Sequence, residues 1–550
     1  MLKQSYESIK RQEITELGTV GEFSLGDIVF SKKAANEPVE PRKDAQAVAS
    51  NLIPIWKSSG YIRPFADYRP KDIGNAQRFF DLYADEFRFA PHLGWLRYEK
   101  GIWGHTEGFG YEREAVKSTI CKFGDSLKIE LFEINKLLAL RRKAKEDGMS
   151  EAYIESLDDD VDAARGALKR MNTEYEASCA EPKIGACLRI AASAPAFVVR
   201  PEQLDADDFK LNTLSGVLDL IHGTETPHDP AFLMTRTSGT SIGPVDAECP
   251  EWLKFLHAVF DDGNEVETQA MIDYMQVVIA YMLSGSTRFE AMFILGGIAG
   301  GNGKSTFLNV VNALLGTYGM QVDCKTFQFK NAEDSSIPND LAKTAGSRGT
   351  TIDELPKGFR FNSPMVKAYV SGTTPMTARF LHKEYFSWLS KAKVMIATNF
   401  LPVIRDDEAM WRRIHLIKFN NNFKARPDET LGAKLNAELP AIMRWAQQGI
   451  TKLAASGLGM PERVARDTAT YKGSQDDFGS FVIEKMEPGA GFIVKTSQAF
   501  AMYTVWAEEN KHHAMSKGTF RRTMAERGFA VKTKSGYEVF DGLQVQVDIS

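Results

Sequence analysis

Cysteine is scarce in this chain. The five present, Cys121, Cys179, Cys187, Cys249 and Cys324, are spread through 550 residues, and no two stand in a C-x-x-C pair. No group of cysteine and histidine has zinc-finger spacing, which excludes a zinc ribbon and leads us to expect reduced thiols in a cytosolic compartment. Long apolar runs are also lacking. Met275–Leu283 is about half the length a bilayer-spanning helix needs, and the opening MLKQSYESIKRQEI has no apolar signal region. There is no excess of positive charge: 67 Lys and Arg face 72 Asp and Glu, a formal net charge of −5. A protein whose whole surface coats DNA would be basic, so nucleic-acid contact here has to come from local patches. No internal repeat or low-complexity tract occurs. A soluble, cytoplasmic protein without membrane contact is expected.

What is present is ordinary globular material, 43% hydrophobic, long enough for three or four domains. Residues 1–70 read as a tail and linker, because Pro and charge deny Ala34–Asp44 a packed face. From Asn75 the run AQRFFDLYADEF predicts a helix with Phe79, Leu82, Tyr83 and Phe87 on one side. WLRYEKGIW predicts a hairpin. Residues 112–180 are charge-rich and helical, with an apolar stripe at Leu127, Ile129, Leu131, Ile134, Leu137 and Leu138. The run Asp158–Asp160 invites a metal-site reading, but a solvated helix start is the better account. Short strands and turns fill 205–250. Amphipathic helices follow at Pro250–Phe260 and Thr268–Leu283, then alternating strands and helices to about 450, which argues for an α/β domain. Beyond Gly457 the texture changes. Phe481–Val547 reads as helices and then two short strands around KTKSGYEVF, an order that suits a winged helix.

The chemistry concentrates in MFILGGIAGGNGKSTFLNVVNALLG. A buried strand feeds a glycine-rich turn, the turn ends in Gly303-Lys304-Ser305-Thr306, and a helix follows, which is the context a phosphate loop requires. Gly297, Gly300, Gly301, Asn302 and Gly303 form the loop. Its glycines let backbone N–H groups close on phosphate oxygens, and the helix N-terminus adds its positive end. Lys304 supplies a point charge to the β- and γ-phosphates, and the Ser305 hydroxyl is placed for Mg²⁺. The usual G-x-x-x-x-G-K-[ST] pattern wants glycine at 298, where this chain has Ile298. Either the loop starts one residue early or it tolerates the side chain.

A phosphate loop is shared by kinases, GTPases and motors, so the next 110 residues decide among them. GTTIDELPKG puts Asp353 and Glu354 at the end of a β-branched strand, about 50 residues after Lys304. Asp353 is placed to hold Mg²⁺, and Glu354 to polarise an attacking water. KAKVMIATNFLPVI reads as a buried strand ending in Thr398-Asn399, where a polar side chain can sense the γ-phosphate or simply cap a turn. In AMWRRIHLIKF, Arg412 and Arg413 precede another strand; a free arginine near a subunit edge can reach a neighbour's nucleotide.

The ordered set GGNGKST, IDE, KAYVSGTTPMTARF, KVMIATN and WRRI resembles the superfamily 3 helicases, most closely the phage and plasmid primase-helicase type to which the poxvirus primase-helicase belongs. The likeness runs over roughly Ile73–Phe423 and includes NAQRFFDLYADEF, the W-x-x-x-x-x-G-x-W hairpin and LNTLSGVLDL…TPHDP. It implies a multi-domain α/β chain. A mostly helical helper domain at 71–250 precedes an AAA+-like superfamily 3 ATPase core at 251–455, with a winged-helix DNA-binding domain at 470–550. It implies ATP and Mg²⁺, and a ring, usually a hexamer, moving 3′ to 5′ on single-stranded or forked DNA in a bacterial host's cytoplasm. Lys304, Ser305, Asp353, Glu354 and Asn399 take the roles above, and Arg413 best matches the trans-acting finger, with Arg412 the alternate. A DNA-gripping hairpin before the sensor strand falls on His382-Lys383, in the basic and aromatic ARFLHKEYF. Lys517, Arg521 and Arg522 would lie on a recognition-type helix and Lys532 and Lys534 on a wing, unless the winged helix binds protein instead.

Only some 70 residues precede the helper region, so no primer synthesis is expected, and a separate primase or another replisome protein is an expected partner. The favoured function is a replicative DNA helicase of a phage, prophage or plasmid. The alternatives are an ATP-dependent assembly switch at an origin, without processive unwinding, and a phosphate-loop kinase or GTPase.

Overall fold

The structure, a computed structural model, describes residues 65–546 except 107, 109, 298–299, 330–338, 380–384, 405–406, 426, 511–513 and 535. The predicted linker Ala34–Asp44 lies outside these residues.

The chain opens with α1 (Lys71–Tyr83), an antiparallel meander β1 (Phe87–Ala90), β2 (Gly94–Glu99) and β3 (Ile102–His105), and the helices α2 (Tyr111–Glu146), α3 (Glu151–Ser178) and α4 (Glu181–Ala191). The β2–β3 hairpin is the one WLRYEKGIW predicts. Its turn residues Lys100 and Gly101 both take positive φ, 51° and 83°, the backbone twist that joins two strands in two residues. The helix predicted through Phe87 ends earlier. Phe87 starts β1, and its ring packs with Phe79, Tyr83 and Trp95. The predicted stripe on α2 is mostly not a core face. Ile134 is buried, but Ile129 and Leu131 are 64% and 50% exposed. Residues two apart do not share a helix face, and although α2 joins the core of α1 and α4 through Ala115, Val116 and Ile120, the stripe lies further along, where α2 and α3 form a long hairpin. Asp158 is well inside α3 rather than at its start, and it bonds Arg141.

Three short strands follow, β4 (Lys210–Asn212), β5 (Val217–Asp219) and β6 (Glu225–Thr226), and then α5 (Pro250–Phe260) and α6 (Glu265–Leu283). α6 was expected to be amphipathic, yet every residue from Tyr274 to Leu283 is buried. That half lies between α12 (Leu439–Ser456) and the central sheet, so it has no solvent face, whereas the first turns of α6 are exposed at Glu265, Val266, Gln269 and Ala270.

The central sheet holds five parallel strands in the order β13-β7-β12-β9-β8: β7 (Met292–Gly296), β8 (Gly319–Gln321), β9 (Gly349–Ile352), β12 (Lys393–Thr398) and β13 (Ile414–Lys418). β7, β9 and β12 are buried at every position, as expected of parallel strands covered on both faces. One face carries α6, α12 and α7 (Lys304–Leu315). The other covers Met292, Ile294 and Val394 with α9 (Ser363–Ser371) and α13 (Glu462–Ser474), reached after the short helices α8 (Asn339–Lys343), α10 (Glu408–Trp411) and α11 (Leu431–Ala437). A two-stranded hairpin, β10 (Met376–Ala378) with β11 (Phe386–Trp388), stands beside the sheet.

The last module runs α14 (Asp477–Lys485), β14 (Met486–Lys495), α15 (Thr496–Glu509), α16 (Lys517–Glu526), β15 (Val531–Lys534) and β16 (Tyr537–Val545). It has an aromatic core of its own, centred on Phe520 with Phe478, Phe481, Tyr503 and Phe540 around it. The chain is thus a mixed α/β protein with a parallel-sheet core.

One buried pair makes the core acid-sensitive. His415 on β13 is 4% exposed; its Nδ1 faces the Tyr274 hydroxyl of α6 at 2.7 Å, and burial pulls its pKa down to about 4. The unfolded imidazole takes a proton near pH ~6.5. Between those values the unfolded chain binds more protons, so stability falls as pH falls. From pH ~7.5 to ~5 the loss is about 2 kcal/mol. Urea midpoints of the wild type should show it, and His415→Asn should remove most of that pH dependence while being less stable at neutral pH.

Candidate nucleotide site

Strand register assembles the site. Thr398 pairs with Gly296 and Ile396 pairs with Ile352. The phosphate loop after β7, the Asp353-Glu354 pair after β9 and Asn399 after β12 therefore emerge side by side at the carboxyl edge of the sheet, where open parallel sheets bind ligands. Gly303 is the N-cap of α7 with φ 87°, and a Cβ there would stand 3.0 Å from the Phe255 ring. Both the backbone and the space require glycine.

Lys304 is 6% exposed. Its ammonium donates to Asn302 Oδ1 and to Asn399 Oδ1, each at 2.9 Å, and lies 3.5 Å from the Gly297 carbonyl. Burial lowers its pKa, and the Glu354 carboxylate works the other way. Glu354 accepts three bonds: from the Asn399 backbone N–H at 3.1 Å, from Asn399 Nδ2 at 3.2 Å and from the Thr398 hydroxyl at 3.2 Å. Asn399 thus sits between cation and carboxylate and touches both. Asn302 donates its amide to the Phe419 carbonyl at 2.9 Å, which fixes the oxygen that it turns to Lys304. Ser305 and Asp353 are exposed, and Thr306 is half-buried. Ile298 lies outside the described residues.

Arg412 and Arg413 stand at the other end of the sheet. Ile414 is opposite Met292 and Lys418 opposite Gly296, so four residue steps of about 3.3 Å each separate the arginines from their own phosphate loop. Arg413 is buried; its guanidinium donates to the Ala409 carbonyl at 2.6 Å and pairs with Glu290. Arg412 is 65% exposed and reaches the same Glu290 oxygen at 3.0 Å. Glu290 itself holds a φ of 50°, which few non-glycine residues adopt.

His382 and Lys383 follow β10 and precede β11 in sequence and lie outside the described residues. In the last module Lys517 and Arg522 are exposed. Arg521 pairs with Glu538 at 2.7 Å, and Lys532 and Lys534 pair with Asp541 at 2.6 and 2.9 Å, holding that carboxyl down to about 2. Thr398 is legible in the sequence as a polar strand end, but Glu290 and Phe419 are not. No motif marks them, and Glu290 meets its arginines only across 122 residues of chain.

Comparison with known proteins now adds to this geometry. Residues 76–261 match the family described as D5 N terminal like, and residues 295–413 match a family of unknown function (DUF5906). Over 302 residues, 51% of this chain and 30% of the relative, the sequence is 26% identical to the helicase-named protein L207/L206 of Acanthamoeba polyphaga mimivirus. Over 330 residues, 55% of this chain and 32% of the relative, it is 23% identical to the helicase-named protein 022R of Frog virus 3 (isolate Goorha). The chain is a relative of the viral D5-like helicases. This D5-like chain spans about a third of the length of the curated relatives it matches. Among solved structures, the apo A form of the NrS-1 C-terminal region is similar over 65% of this chain and 89% of its own, at 11% identity and a TM-score of 0.40. Among the described residues of the D5-like chain, no helix is long and apolar enough to cross a membrane.

Proposed function

We propose that this chain is an ATP-dependent DNA helicase of the superfamily 3 type that works as a ring, in the setting of a phage, virus or plasmid. The observation that carries the reading is the continuous Lys304–Asn399–Glu354 network at the carboxyl edge of the parallel sheet. A cation for the phosphates and a carboxylate for the water are joined by one amide that can register whether the γ-phosphate is present. Ser305 and Asp353 offer a hydroxyl and a carboxylate, both exposed, a donor set that suits a Mg²⁺ sharing its other positions with phosphate oxygens and water. When bound, that ion would draw off charge developing on the phosphates. Single-stranded DNA contact is proposed for His382 and Lys383. The order helix, strand, helix, helix, strand, strand at 477–545 supports a winged helix, with Lys517, Arg521, Arg522, Lys532 and Lys534 as its basic face. The test is hydrolysis with and without single-stranded DNA, coupled to unwinding of a labelled fork and to size analysis with ATP. DNA-independent hydrolysis without strand separation would overturn the helicase reading.

Because the arginine pair lies at the far end of its own sheet, it serves a neighbouring subunit's nucleotide in this proposal. Arg412, the exposed one, is the better placed, and Arg413 holds Glu290 beneath it. Arg412→Ala should reduce hydrolysis by about 10³-fold or more. Mixing it with Lys304→Ala subunits should restore part of the activity, since some interfaces then join an intact phosphate loop to an intact arginine. Arg413→Ala should instead lower the melting temperature, by leaving Glu290 without its buried partner. If no mixture recovers activity, the finger is not supplied in trans.

A further inference from the structure

The segment after β13 lies along the phosphate loop. The Phe419 N–H donates to the Gly296 carbonyl and the Phe423 N–H to the Gly301 carbonyl, each at 2.8 Å. Between them, the Asn421 amide donates to the carbonyls of Ala258 and Asp261, each at 2.8 Å, which ties the segment to the end of α5. The next residue is Lys424. Its stem crosses the loop glycines: a Cβ on Gly301 would meet Lys424 Cγ at 2.6 Å, and one on Gly300 would stand 3.7 Å from both Cε and Nζ. Lys424 is exposed and, among the described residues, makes no ion pair.

A fixed segment therefore delivers an ammonium, without an ion pair among the described residues, to the Gly300-Gly301 stretch of the loop. Lys304 is already engaged by Asn302 and Asn399. The middle of a phosphate loop is where backbone N–H groups cradle the α- and β-phosphates, and a lysine there acts as a point charge on them. We propose that Lys424 is a second phosphate-binding cation, supplied in cis, that contacts the diphosphate portion of a nucleoside di- or triphosphate. This rests on the phosphate-loop reading above. It differs from a packing role for the stem over Gly301, which needs the methylenes and not the charge.

Binding of fluorescent ADP and ATP to the full chain separates these possibilities. Lys424→Met keeps the stem and removes the charge; it should raise the Kd for both nucleotides by about tenfold. Lys424→Arg should stay within about threefold, since a cation remains. In the wild type, saturating ADP should protect Lys424 several-fold from an amine-acylating reagent, read by peptide mass spectrometry, so the inference does not depend on a variant folding. Wild-type affinity in Lys424→Met, or no protection by ADP, overturns the role of Lys424. A wild-type chain that binds neither nucleotide overturns the phosphate-loop reading, and this inference with it.

Discussion

Glu354→Gln should bind nucleotide within about threefold of the wild type and hydrolyse it about 10²–10⁴-fold more slowly, the range that a positioned general base supplies. The side chain is held by three donors, from Thr398 and twice from Asn399, so its orientation does not depend on the ligand. The glutamine is nearly isosteric, but it lacks the basic oxygen, and its amide nitrogen must face a donor on one side. Binding of fluorescent nucleotide and single-turnover hydrolysis, measured on the same preparation, separate the two effects. DNA-stimulated turnover that survives in Glu354→Gln would remove Glu354 from the role of base and leave it as a brace for Asn399.

Lys304→Ala should abolish nucleotide binding outright. The ammonium is buried between Asn302 and Asn399. Its loss also leaves the oxygens of Asn302 and Asn399 without their donor, so the damage reaches Glu354 through Asn399. A ligand that binds only the folded chain stabilises it by about 2.7 kcal/mol at one hundred times its Kd. The wild type should show such a shift with ATP or ADP, and Lys304→Ala should show none while melting close to the unliganded wild type. A full nucleotide-induced shift in Lys304→Ala would place the ligand elsewhere on the chain.

These two residues were legible because their signals are local. A buried strand, a glycine turn and a helix start lie within some fifteen residues around Lys304; Glu354 comes two residues after a short β-branched strand, and Asn399 directly follows an apolar one. The β2–β3 hairpin was legible for the same reason: two turn residues determine it. Legibility failed where packing partners come from far away. The α2 stripe has apolar residues but too few partners to bury them, and the second half of α6 has enough partners to bury every side. The pairing of Arg413 with Glu290 and the course of Phe419–Lys424 along the phosphate loop have no local mark at all.

The sequence by itself determined the parts: a phosphate loop with its lysine, an acidic pair, a strand-ending asparagine and two arginines, each tied to backbone chemistry within a few residues. Only the tertiary structure decided which of them meet. The register of five parallel strands brings Lys304, Glu354 and Asn399 to one edge and sends Arg412 and Arg413 to the other. Burial then separates the two arginines, which sequence cannot rank. Arg413 is enclosed and Arg412, the C-cap of α10, is left exposed, because Arg413 turns back onto the Ala409 carbonyl of α10 while Arg412 reaches the same Glu290 oxygen from the solvent side.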